Sequence, residues 1–344
     1  MSKLRFFGAF LGLCSLVPSA WAGSMNPDLS LNALAAWNAG NRGNDPLAAR
    51  KNGLSIQEIE MQLGSDIDPY LHGTVNLSLS QGPTGAWGIE PEEAFVESLS
   101  LPGFTLKGGK FLAALGKENA THRHAWPFID ATLAHQALIG DEGFKDVGAS
   151  ASWLIPLPFF LELTGQAFNS DDPAIFGSPT PEDWAGLGSL RTLFDLDDDT
   201  TFELQASYLG GQNATDDLTW FGNVTSSLKW RKDESHALIL AGEFLHREVA
   251  STPLASLDAQ GGASGWLQWQ FARRWWVQGR AEMLGLSAPV PAVRKYSALI
   301  ALVPTEFSGW RLQYDWIEAQ VNDPEHRLTL QLNVTMGVHP AHSY

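Results

Sequence analysis

The sequence predicts an all-β fold, an antiparallel barrel of about sixteen strands, each long enough to cross a bilayer. Three observations predict it. The run 328–336, LTLQLNVTM, puts Leu328, Leu330, Leu332, Val334 and Met336 on one face. Thr329, Gln331, Asn333 and Thr335 fall on the other, a period-two pattern without error. That polar face is small and uncharged, as suits a strand with lipid on one side and a wet lumen on the other. The chain also holds 14 Trp and 33 Gly, and abundant Trp among alternating strands fits aromatic girdles at two membrane interfaces. Finally, the connections between the candidate strands alternate between short and long.

In chain order the candidate strands cover 29–37, 56–64, 71–80, 90–100, 104–115, 144–155, 159–168, 184–194, 201–209, 219–230, 236–246, 264–271, 275–285, 294–303, 310–319 and 327–336. Most have about ten residues, the length a tilted strand needs to cross hydrocarbon. The first, fourth, eighth and fourteenth alternate poorly. Trp153, Trp184, Trp220, Trp230, Trp269, Trp275, Trp310 and Trp316 fall at or near strand ends. With a periplasmic N-terminus, the even connections are short and rich in Asp, Pro, Gly and Arg, as tight turns require. The odd ones include 38–55, 116–143, 169–183 and 247–263, all longer.

The first 22 residues read as a secretory signal. Lys3 and Arg5 give the positive start, 6–17 the apolar core and Ala20-Trp21-Ala22 the small-x-small cleavage site. The barrel then occupies 23–344. Cys14, the single cysteine, leaves with the signal, so the mature chain has no disulfide or thiolate chemistry. Removing Lys3 and Arg5 from 22 basic residues leaves 20 against 38 acidic ones, a net charge of −18. Nucleic acid is excluded as a partner on that balance. No base–nucleophile spacing surrounds His236 or His246, so the chain is not expected to be an enzyme.

The longest connection, 116–143, is the third on the outer side and reads GKENATHRHAWPFIDATLAHQALIGDEG. Its candidate constriction or ligand-binding residues are Glu118, His122, His124, Asp130, His135, Asp141 and Glu142. His122, His124 and Asp130 offer imidazole and carboxylate together, a set suited to Zn²⁺ as a transported or bound ion. No resident cofactor is expected. By strand parity the lumen charges include Glu203, Arg280, Glu282, Arg311 and Asp315, with Glu58, Glu60, Glu162 and Glu243 against Lys107 and Lys229. That balance is mildly acidic. Gln331, on the same wet face, is expected to tolerate a charge. At the C-terminus Val338, His342 and Tyr344 keep the parity of Leu328, so Tyr344 ends the lipid-facing row.

The start NPDLSL, the run EEAFVESLSLPGFTLKGGKFLAALGKENATHRHAWPFID and the end MGVHPAHSY resemble a Gram-negative outer-membrane family often called zinc-regulated TonB-dependent outer membrane receptors. The central run is also similar to phosphate-selective porins, where a strand–Gly–strand unit precedes the constriction loop. The resemblance implies an outer-membrane barrel in contact with lipid, inserted by the barrel assembly machinery through the terminal aromatic Tyr344, and compatible with a homotrimer. It also implies that the third outer loop folds inward. The expected function is a porin-like channel for small polar solutes, cation-biased and narrowed by 116–143. The alternative, in line with the family name, is an uptake receptor for a metal or metal complex. TonB-linked barrels are plugged and have about 22 strands, and the segment between Ala22 and Ile56 is too short for such a plug.

Overall fold

A computed structural model describes residues 27–43, 51–81, 86–172, 174–180, 182–250, 260–286, 292–319 and 322–337. The signal segment 1–22, with Cys14, and the tail with His342 and Tyr344 lie outside the described residues. Sixteen antiparallel strands follow one another: β1 (Asp28–Gly40), β2 (Gly53–Asp66), β3 (Leu71–Gln81), β4 (Trp87–Ser98), β5 (Phe104–Leu112), β6 (Lys145–Leu154), β7 (Phe160–Phe168) and β8 (Ala185–Asp195). The second half runs β9 (Thr200–Gln212), β10 (Leu218–Asp233), β11 (His236–Val249), β12 (Gln260–Ala272), β13 (Trp275–Leu284), β14 (Val293–Thr305), β15 (Ser308–Ala319) and β16 (Asn322–Gly337). Each strand pairs with its sequence neighbours, and β1 pairs with β16, for example Leu34 opposite Asn333, closing the barrel without an edge. Every predicted strand overlaps an observed one.

The faces follow the alternation. In β16, Thr329, Gln331 and Thr335 are buried toward the interior, whereas Leu330 and Met336 face outward and are exposed. The outer surface is ringed by exposed Trp153, Trp184, Trp269, Trp275, Trp310 and Trp316. Two of the even connections close as Asp-centred turns. Asp68 Oδ1 accepts from the Tyr70 and Leu71 amides at 2.8 and 2.9 Å, and Asp233 Oδ1 from Ser235 N at 2.7 Å.

The strands that alternate poorly do so for two reasons. In β1, β8 and β14 the inward positions include apolar side chains: Leu34 and Ala36, Ala185 and Leu187, Leu299 and Ala301. In β4 the ladder slips between Asn76 and Leu77, whose partners are Glu93 and Pro91, so Glu92 is an extra residue. This bulge turns Glu92 and Glu93 to the same side. A second slip, between Leu34 and Ala35, leaves Gln57 extra beside Glu58.

The lumen is therefore not uniformly wet, contrary to the simplest reading of the alternation. Its outer half holds a hydrophobic core. Phe168, Leu187, Leu209, Phe221 and Leu245 of β7–β11 point inward and pack against Leu115, Ala134, Leu138 and Ile139 of the connection between β5 and β6. Ile175 and Phe176 of the next outer loop cover the same cluster. A barrel of about sixteen strands is too wide for wall side chains alone to fill. Here the inserted connection occupies part of it, and the apolar seat replaces polar wall residues.

Candidate functional site: the inward loop and its two walls

The connection leaves β5 three residues earlier than the pattern predicts, because Ala113 and Leu115 turn into the core. Gly116 allows this entry: its φ is +74° and an added Cβ would lie 2.5 Å from Asn223 Oδ1. Asn119 ties the loop's two ends. Its amide donates to Ala113 O at 2.8 Å and Phe144 O at 3.1 Å, and its oxygen accepts from Phe144 N at 2.7 Å. Three short helical pieces follow: α1 (Gly116–Asn119), a 3-10 turn (Arg123–Ala125) and α2 (Leu133–Leu138). Thr132 caps α2, accepting from His135 N at 3.3 Å, while Glu118 accepts from Thr132 N and Oγ1 at 2.8 and 2.7 Å.

One side of the loop is fastened to β13–β16. Asp130 accepts from Arg280 Nη2 at 2.7 Å, Lys295 Nζ at 2.7 Å and Gln313 Nε2 at 2.9 Å. Arg280 also donates to Asp130 O at 3.0 Å, pairs with Glu282 at 2.7 Å and lies 4.4 Å from the Phe128 ring centre. Phe128 and Ile129 pack on Leu299 and Ala301. Arg311 donates to Trp126 O at 2.7 Å, and Asn333 to His124 O at 3.1 Å. Asp315 is buried and accepts from Ser297 Oγ at 2.6 Å.

The other side meets the carboxylates of β2 and β4. His122 Nε2 is 2.9 Å from Glu93 Oε2, and its Nδ1 is 3.3 Å from Glu92 Oε2 and 3.6 Å from Glu60 Oε1. His124 Nδ1 is 2.6 Å from Glu60 Oε2, and Asn76 donates to Glu60 Oε1. Ser78 Oγ donates to Glu58 at 2.9 Å; Arg123 reaches Glu58 at 3.8 Å and Lys145 reaches Glu92 at 3.4 Å. Burial works against charging His122, yet the surrounding Glu92, Glu93 and Glu60 raise its imidazole well above the ordinary histidine range.

The predicted site residues thus divide. His122 and His124 stand at the acidic wall, with rings stacked 6.1 Å apart. Asp130 is not beside them: it is held by Arg280 and Lys295, so the predicted ligand set of His122, His124 and Asp130 is not assembled. Cations on the opposite wall outcompete that arrangement. Among the described residues the set that does converge is Glu60, Glu92 and His122, with ligand atoms all within 4.8 Å of one another. His135 is not a lumen ligand either: it is buried against Trp126, and that burial pushes its imidazole below the usual range. Glu118 serves α2 within the loop. Asp141 and Glu142 are exposed at the rim of a cavity of about 30 Å³ that Glu92 and His122 also line. Burial opposes the charge of Glu142, but Lys145, 2.9 Å away, lowers its pKa. Glu203 pairs with Lys117 at 3.2 Å and Arg191 at 2.6 Å.

Sequence reasoning missed Glu92, Glu93 and Lys295. The available signal was Glu90-Pro-Glu-Glu93, since a proline inside a strand marks a bulge or an edge.

No family model matches the chain. An uncharacterised protein of Aquifex aeolicus (strain VF5) is 26% identical over 338 residues, covering 86% of this chain and 71% of that one. Among solved structures, Pseudomonas putida OprB at high pH superposes with a TM-score of 0.62 at 10% identity, covering 90% of this chain and 94% of that chain. Salmonella typhi OmpF in complex with daunomycin gives 0.61 at 11% identity, covering 90% and 98%. An anion-selective porin from Comamonas acidovorans gives 0.59 at 8% identity, again over 90% and 98%. The fold of this chain is that of the outer-membrane porin barrels.

Proposed function

We propose that this protein is an outer-membrane, porin-like channel that passes small polar solutes through a lumen narrowed by residues 116–143. The observation that carries the reading is the inward loop itself, which reaches from the carboxylates of β2 and β4 to Arg280 of β13 and Lys295 of β14, where its own Asp130 is held. A cation bias follows from how charge is compensated. On the β13–β16 side, Arg280, Lys295 and Arg327 face Asp130, Glu282 and Glu325 and are neutralised. On the other side Glu58, Glu60, Glu90, Glu92, Glu93, Glu97 and Glu142 outnumber the permanent cations Lys107, Lys110, Arg123 and Lys145 that face them. A low-dielectric wall focuses that surplus and enriches cations. The test is reconstitution in a planar bilayer. Steady conductance, with a reversal potential of cation sign in a salt gradient, is expected. A folded protein that passes no steady current defeats the channel reading and favours the second one, an uptake receptor for a metal or metal complex, to which the convergence of Glu60, Glu92 and His122 points.

A further inference from the structure

We propose that Glu60, Glu92 and His122 bind one divalent cation of the zinc, cobalt or nickel type, which ties the third outer loop to strands β2 and β4. This ligand set differs from any that residue spacing suggests, because its members lie on two strands and a loop and one of them is placed by a bulge. Donors at about 2.0–2.1 Å around a tetrahedral ion stand roughly 3.3–3.5 Å apart. His122 Nδ1 lies 3.3 Å from Glu92 Oε2 and 3.6 Å from Glu60 Oε1, close to that spacing.

The arrangement around the donors points the same way. The Nε2 of His122 lies 2.9 Å from Glu93 Oε2, so Glu93 takes the N–H and Nδ1 is left facing two carboxylates. A carboxylate that accepts from the far nitrogen of an imidazole is the usual support of a ligating histidine, fixing its tautomer and orientation. His124 holds Glu60 in the same manner, through its other oxygen at 2.6 Å. Glu92 is only 7% exposed, and among the described residues its Oε2 meets no well-aligned hydrogen-bond donor, the His122 Nδ1 standing 3.3 Å away. A buried carboxylate oxygen beside an imidazole nitrogen needs a positive charge there, which is the Nδ1 proton in the metal-free site and the divalent ion once it has displaced that proton. Three protein donors leave one tetrahedral position for water, and the adjoining cavity of about 30 Å³ has room for one. An imidazole with two carboxylates favours the later first-row ions over Mg²⁺, which demands six oxygen-type ligands.

The test is a Co²⁺ titration of the folded full-length barrel in detergent, read by visible absorption. It uses binding and not current, so it fails or succeeds independently of the channel reading. One equivalent with a four-coordinate spectrum is expected, displaced by Zn²⁺ and not by Mg²⁺. His122→Ala and Glu92→Gln should each remove it. Glu93→Gln should weaken it about 10–100-fold, as loss of an orienting partner does. His236→Ala, at the turn between β10 and β11, should leave it unchanged. Heat-modifiable gel mobility confirms that each variant is folded. Zn²⁺ should also protect residues 116–143 of the wild type from proteolysis. Absence of a one-equivalent site, or a site that survives both His122→Ala and Glu92→Gln, overturns the proposal, and so does equal loss in His236→Ala.

Discussion

Asp130 shows how a single carboxylate fixes the position of a 28-residue connection whose sequence reads mostly as loop. Arg280, Lys295 and Gln313 all donate to it, and each of these side chains is itself buried. Removing it leaves two buried cations competing for Glu282. Breaking a buried pair from one side costs about 3–5 kcal/mol, since the uncompensated charge stays in low dielectric. Asp130→Ala should therefore lower the protection of residues 116–143 in native-state hydrogen exchange by an amount of that order, while barrel strands far from the loop keep theirs. Equal loss in β5–β7 would show that loop and barrel unfold together. On the other face of the wall, Leu330 is exposed toward lipid in mid-strand, and Leu330→Arg should destabilise by about 2–4 kcal/mol. Gln331, expected to tolerate a charge, will not: it is fully buried and accepts from Arg311 Nε at 2.7 Å. Gln331→Arg places a second guanidinium there and should also destabilise, as a denaturant titration of both variants would show.

At the scale of elements, the loop's seat is as much apolar as ionic. His135, on α2, is buried with Glu118 and Asp141 favouring its charge and Arg123 opposing it, and burial prevails. Its folded pKa thus lies below the ordinary value of about 6.5. The open loop binds the proton first as pH falls, so the His135 contribution to seating is constant above about 6.5 and weakens below it, whereas that of His122, whose pKa is raised, is full below about 6.5 and is lost only as pH rises above it. Protease sensitivity of 116–143 should rise as pH drops through that window, and His135→Leu should abolish the His135 part of this rise. Deleting 119–139 with a short Gly/Ser link should leave the barrel folded, since loop length is cheap, and should raise conductance. The deletion will cost stability even so, because Leu209, Phe221 and Leu245 then face lumen water. All sixteen strands were legible because lipid outside enforces period two on one face of each. The inner face was legible only where it meets water. In β8 and β14 the inward apolar residues Leu187 and Leu299 exist to seat loops, a tertiary demand with no local period. In β4 the bulge at Glu92 moved two carboxylates into the site, and register slips of this kind are set by the partner strand.

For the molecule as a whole, charge is distributed by wall and not by average. The net charge of −16 over the full sequence says only that cations are favoured near the surface. The structure gives the lumen an asymmetry: neutralised β13–β16 on one side, surplus carboxylates on β2 and β4 on the other. Selectivity should consequently depend on a few residues. Glu58→Gln with Glu90→Gln removes two acids from the acidic wall while sparing Glu60, Glu92 and His122. The double variant should lose much of the cation preference yet keep its conductance. Lys229→Gln, on β10 across the lumen, should strengthen the preference slightly. The preference of the wild type should itself fade with salt, because the Debye length falls from about 10 Å at 0.1 M to about 3 Å at 1 M. A reversal potential that stays constant over that range would place selectivity in a contact narrower than the Debye length, at the loop, and remove the wall carboxylates from the explanation. An anion-selective wild type would overturn the charge argument altogether.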